Sequence, residues 1–105
     1  MATNTITLAT AQIWAAKWQS DPAHKTKAFL IPKVDISQLF EYEGVCDVRI
    51  YMGIDETGNQ KIMLVGVDID GNDLINPARN QFIYDFALKC PDVCDTRSPL
   101  FNPKP

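Results

Sequence analysis

Between Asp47 and Asp70 the chain reads DVRIYMGIDETGNQKIMLVGVDID, two runs rich in Val, Ile and Met on either side of Glu56-Thr57-Gly58-Asn59. Turn residues between two β-favouring runs predict an antiparallel hairpin over about 46–54 and 61–69. A loop of Glu56 to Asn59 sets Asp55 opposite Gln60, with Gly58 or Asn59 available for a left-handed backbone position. Side chains alternate between faces along a strand. In that register one face carries Cys46, Val48, Ile50, Met52 and Ile54 against Met63, Val65, Val67 and Ile69, and is wholly apolar. The other carries Asp47, Arg49, Tyr51 and Gly53 against Ile62, Leu64, Gly66 and Asp68. A one-residue slip would mix the two sets, so the pattern favours this register.

Ahead of the hairpin, Leu8, Ala11, Trp14, Ala15 and Trp18 fall at helical spacing and predict a helix over about 7–20, with Thr7 as N-cap and Asp21-Pro22 as its stop. Ala9, Ile13 and Ala16 widen its apolar surface, so it is expected to pack over much of its circumference. Ala28 to Ile31 reads as a short strand ended by Pro32. Asp35 and Gln38 have capping-box spacing and predict a second helix over about 35–42, with Ile36, Leu39 and Phe40 on its buried side and a stop near Gly44.

Beyond the hairpin, Asp70-Gly71-Asn72-Asp73 is a tight turn and Leu74-Ile75 a brief strand. Gln81 to Leu88 reads as a further strand, with a helix as the competitor, and the Pro-containing tail 91–105 as irregular chain draped over the sheet. No internal repeat is apparent. The expected fold is a single α+β domain spanning 1–105. Its single-layer antiparallel sheet, built on the central hairpin, has both helices on one face, Trp14, Trp18, Leu39 and Phe40 covering the apolar side.

A chain of 105 residues can bury a core of its own without metals or disulfides. Its net charge of −3 argues against a nucleic-acid partner, whose phosphates require a basic surface. No apolar run approaches the roughly 18 residues of a membrane span, and no positively charged leader opens the sequence. Three cysteines do not describe a disulfide scaffold, so a reduced, cytoplasmic protein without a cofactor is expected.

Four features could carry chemistry. Asp68, Asp70, Asn72 and Asp73 resemble a calcium loop, but Asp73 stands where the sharp-turn glycine belongs and Arg79 where the bidentate glutamate belongs; an Asp-Gly turn is the plainer reading. Cys90 and Cys94, in CPDVC, are two thiols on one stretch of chain, open to three readings: plain structural thiols, a disulfide or redox pair, or a metal grip. Zinc would need Cys46 and His24 to complete its ligands, and Cys46 lies on the expected core face. His24, the only histidine, sits beside Lys25 with no nucleophile motif near it and reads as a surface residue. Finally, the mixed hairpin face sets Arg49 and Tyr51 beside Ile62 and Leu64, an apolar strip needing cover from the chain, a second subunit or a ligand. Asp85 could join Arg49 and Tyr51 in lining a cleft there.

GVDIDGNDLI, IYDF and the CPDVCD…SPL ending together resemble a family of small uncharacterised bacterial proteins, over most of the chain from Ala28 onward. That resemblance implies no activity, substrate, cofactor or functional residue. The sequence thus points to a small non-enzymatic binding module, a homodimer being one form, acting through Arg49, Tyr51, Ile62, Leu64 and Asp85. The alternative is a thiol, disulfide or metal protein acting through Cys90 and Cys94.

Overall fold

The computed structural model of the chain describes residues 3–103. The fold is α+β, with two helices and antiparallel sheets of two and three strands. Its elements run α1 (Leu8–Gln19), β1 (Ala28–Leu30), α2 (Lys33–Phe40), β2 (Asp47–Ile54), β3 (Gln60–Val67), β4 (Asp73–Leu74), a single 3-10 turn (Pro77–Arg79) and β5 (Leu88–Cys90). The chain ends, up to Ala28 and from Lys89, make one compact unit, and Phe29–Leu88 makes another. β1 and β5 form the two-stranded sheet; β2, β3 and β4, in that order, form the other.

In the Phe29–Leu88 unit, the hairpin forms where expected but one residue out of the expected register. Ile50 lies opposite Leu64, Met52 opposite Ile62, Arg49 opposite Val65 and Tyr51 opposite Met63. The loop explains the slip. The Asp55 amide donates to the Asn59 carbonyl at 2.9 Å and the Gly58 amide to the Asp55 carbonyl at 3.0 Å. The loop therefore holds three residues, Glu56 to Gly58, with Gly58 left-handed at φ 85°, rather than four. One residue fewer in the loop moves every β3 side chain to the other face relative to β2.

Ile62 and Leu64 consequently share a face with Val48 and Ile50, and they are core: with Leu39 of α2 they form its buried centre, wrapped by Phe29, Ile31, Ile36, Tyr42, Val48 and Tyr84. The strip thought to need cover is thus the best-covered part of the unit. Met63, Val65 and Val67 lie instead on the face of Arg49 and Tyr51. β3 is central, with β2 on one side and, on the other, β4 beside Gly66 and Val67 and Tyr84 bridging Leu64. Gly66 is required by a close approach: a Cβ there would stand 2.8 Å from a Val45 methyl.

A second turn repeats the first. Asp68 donates its amide to the Asn72 carbonyl at 3.0 Å, and the left-handed Gly71 donates to the Asp68 carbonyl at 3.1 Å. The sequences are Asp55-Glu-Thr-Gly-Asn59 and Asp68-Ile-Asp-Gly-Asn72, an internal repeat of turn chemistry.

α2 begins one turn earlier than expected, with Pro32 rather than Asp35 at its N-cap. Proline's fixed φ suits that place, and Asp35 falls in the first turn, where the positive end of the helix favours a carboxylate. Residues 81–88 are not a continuous strand; only the Tyr84 bridge and the start of β5 are regular. Phe40 faces solvent, about half exposed.

In the terminal unit, Thr7 caps α1 as expected, its hydroxyl accepting from the Thr10 amide at 3.1 Å. The helix is not packed over its circumference. None of its residues is fully buried, and Trp14 is 59 % exposed. The tail lies along it: Gln12 donates to the Pro99 carbonyl at 3.3 Å and Gln19 to that of Leu100 at 3.0 Å. The Lys27 ammonium sits 4.2 Å from the centre of the Phe101 ring. Trp18 donates its indole N–H to the Thr26 carbonyl at 2.6 Å.

Candidate functional site

β2 is eight residues long and forms one edge of its sheet. Which of its backbone groups face outward follows from β3. Leu64 spends both its amide and its carbonyl on Tyr84, at 2.8 and 3.0 Å, so Ile50 opposite it exchanges no bonds with Leu64. Alternation then assigns the odd-numbered residues to bonding with β3, as Asp55 does with Asn59, and turns the backbone N–H and C=O of Val48, Ile50, Met52 and Ile54 toward solvent. Their side chains share one face, and beyond the α2 core that row is bare: Ile50 is 47 %, Met52 80 % and Ile54 74 % exposed. Chains ordinarily blunt such an edge with charge, proline or a bulge. On β2 the charges, Asp47 and Arg49, stand on the opposite face, and the row Val48, Ile50, Met52 and Ile54 has neither charge nor proline.

The other face of β2 is built differently. Arg49 donates through Nη1 to the Asp73 carboxylate and, at 3.3 Å, to the Gly71 carbonyl, while the Tyr51 hydroxyl donates to the second Asp73 oxygen. Asp73 is on β4, two strands away, so both side chains cross β3 to reach it. They arch over Val65, which is 1 % exposed. Hydrogen bonding to Asp73 and its negative charge raise the Arg49 pKa, and the Tyr51 hydroxyl's own bond to Asp73 is the largest cause raising that of Tyr51. Asp73 thus has one oxygen committed to the guanidinium and the other to a phenol held in its neutral form. The constellation clamps three strands together; it offers neither an activated nucleophile nor a free base.

The structure brings Arg49 and Tyr51 together, with Asp73 as their carboxylate. Asp85 is exposed and makes no described contact with either, while Ile62 and Leu64 lie on the opposite face. The sequence could not identify Asp73, because the partnership spans two strands and depends on β4 pairing with β3. Asp68 is consumed by its own turn: the Asp70 and Asn72 amides donate to Oδ1 at 3.0 and 2.9 Å, which lowers its pKa. Asp55 is held the same way by Asn59 and Thr57. No group of three or more His, Cys, Asp or Glu side chains that could hold a metal occurs among the described residues.

Cys90 and Cys94 are joined as a disulfide, so they are not free thiols; Cys90 is buried. Cys46 is a free thiol and exposed rather than core. His24 stacks on Trp18 with ring centroids 3.5 Å apart, and its Nδ1 is 2.9 Å from the Trp18 carbonyl oxygen. That stack makes it part of the α1 packing.

No described helix is long and apolar enough to cross a membrane. No family model matches the chain, and no curated protein or solved structure matches it either.

Proposed function

We propose that this protein is a small non-enzymatic binding module and that the free edge of β2 is its binding surface. One observation carries the reading: an eight-residue edge strand presents a solvent-facing backbone and the exposed row Ile50, Met52 and Ile54 on the same residues. A partner strand added there gains main-chain hydrogen bonds from the edge and apolar contact from the row, the two terms of strand addition. The Arg49–Asp73–Tyr51 clamp ties the edge strand to β4 across β3. The expected contact thereby moves from the Arg49 and Tyr51 face to the edge beside it.

Selection of binders from a random peptide library against the whole protein tests this. Recovered peptides should be extended, alternate apolar residues, and lose binding to a Met52→Lys, Ile54→Lys double variant. Peptides that bind that variant equally well would sink the reading.

A second reading is favoured by the closed Cys90–Cys94 bond, namely a dithiol–disulfide couple that exchanges with an external thiol. Intact mass after alkylation, across a series of thiol reductant concentrations, tests it; a bond that stays closed in the folded protein at every concentration contradicts it. The same bond sits more easily with an oxidising compartment than with the cytoplasmic location expected from the sequence.

A further inference from the structure

We infer that exchange at the Cys90–Cys94 bond begins on Cys94, which a small external thiol attacks, with Cys90 as the leaving sulfur. The inference rests on reading the pair as a dithiol–disulfide couple, and it names the reacting atom of that couple. An incoming thiolate must reach one sulfur from the side away from the other, so access selects the sulfur attacked. Cys90 is 5 % exposed, whereas Cys94 is half-buried between the exposed Val93 and Asp95. The backbone also holds the two residues differently. Cys90 ends β5, and its carbonyl accepts from the Lys27 amide at 2.7 Å. Cys94 lies just past the bond from the Val93 amide to the Lys89 carbonyl, at 2.8 Å, and makes no backbone hydrogen bond of its own among the described residues. Cys94 can therefore turn toward a thiol while Cys90 stays in its strand.

Burial opposes this direction in one respect. A buried thiolate is costly, so Cys90 is a slow leaving group. Slow departure lowers the rate of opening, but it opens no path to a covered sulfur. The thiolate RS⁻ bonds to the Cys94 sulfur as the S–S bond breaks, and the bonding pair goes to the Cys90 sulfur. Cys90 takes a proton from water, leaving RS–S–Cys94 and a Cys90 thiol. A second RSH then attacks the RS sulfur and expels Cys94. Two external thiols are thereby oxidised to RSSR, and the protein disulfide is reduced to two thiols. Cys90 competes with that second step. It stands four residues from Cys94 and can re-form the original bond, expelling RS⁻.

Trapping the mixed disulfide tests this. The full chain, folded and carrying Cys46→Ser, is treated briefly with 2-mercaptoethanol, quenched in acid and capped with a maleimide at mildly acidic pH. Both cysteines then fall in one tryptic peptide, Cys90–Arg97, whose fragment masses locate each group. The mercaptoethanol adduct should sit on Cys94 and the maleimide on Cys90, with the reverse arrangement a minor product. An adduct found mainly on Cys90, or shared equally, would overturn the assignment and leave the exchange reading standing. A bond that never opens in the folded chain would remove both. Single-thiol chains read the same order where the adduct is too short-lived to trap. With hydroxyethyl disulfide, Cys90→Ser should form its adduct faster than Cys94→Ser, and equal or reversed rates would overturn the assignment.

Discussion

The Asp55 amide donates to the Asn59 carbonyl, and one Asp55 carboxylate oxygen accepts from the Asn59 amide in return, both at 2.9 Å. This reciprocal pair closes the first hairpin after a three-residue loop and so decides which β3 side chains face the core. Asp55→Ala removes the carboxylate from the Thr57 and Asn59 amides together. The variant is expected to melt at a lower temperature and to exchange its Asn59 amide faster than wild type. Amide exchange followed residue by residue checks it.

Acid should loosen both repeated turns. Hydrogen bonds from the Asn59 and Asn72 amides are the largest causes lowering the Asp55 and Asp68 pKa values in the folded chain. A carboxylate with a depressed folded pKa adds stability that is present above its unfolded value, near 3.9, and lost as pH falls through the folded one. The melting temperature should fall as pH drops below about 4, and less steeply in an Asp55→Asn, Asp68→Asn double variant.

Alkali acts at another place. Burial first, then the hydrogen bond to Tyr42, pushes the Tyr84 pKa up to about 12. An acid whose folded pKa is raised adds stability that is complete below the unfolded value, near 10, and is lost as pH rises through the folded one. Stability should therefore decline between about pH 10 and pH 12. Tyr84→Phe should abolish this part of the decline. Tyrosinate absorbance and melting, followed together, report it.

The two sides of the slipped register should differ sharply in cost. Leu64 is fully buried, so Leu64→Ala should destabilise by about 2–5 kcal/mol. Met52 is 80 % exposed, and Met52→Ala should stay within about 0.5 kcal/mol. Gly66→Ala, which must displace the Val45 methyl, should cost about 1–3 kcal/mol. Denaturant melts measure all three.

Much of this fold is legible in the residues. The Thr7 cap, the α1 spacing, the hairpin and the turn at Gly71 all follow from local chemistry. The register does not, because Ile62-Met63-Leu64-Val65 is apolar at every position. A central strand covered on both faces reads as a continuous apolar run, so alternation cannot say which parity faces the helix. Only the loop distinguishes the two, and Asp55 could have ended the strand or opened the turn. The repeated Asp-x-x-Gly-Asn was the signal that would have resolved it, since the second copy also closes through its aspartate and asparagine. The site was half visible: Arg49 and Tyr51 were legible as a pair, but Asp73 joins them only through a third strand, and the open row beside them looked like core.

The outward row of Ile50, Met52 and Ile54 depends on the hairpin register. Because Ile50 and Leu64 form a non-hydrogen-bonded antiparallel pair, their Hα atoms lie close together, as do those of Met52 and Ile62. Proton NMR should show strong Hα–Hα cross-peaks for Ile50–Leu64 and Met52–Ile62. Cross-peaks shifted by one residue, pairing Ile50 with Val65 and Met52 with Met63, would contradict it.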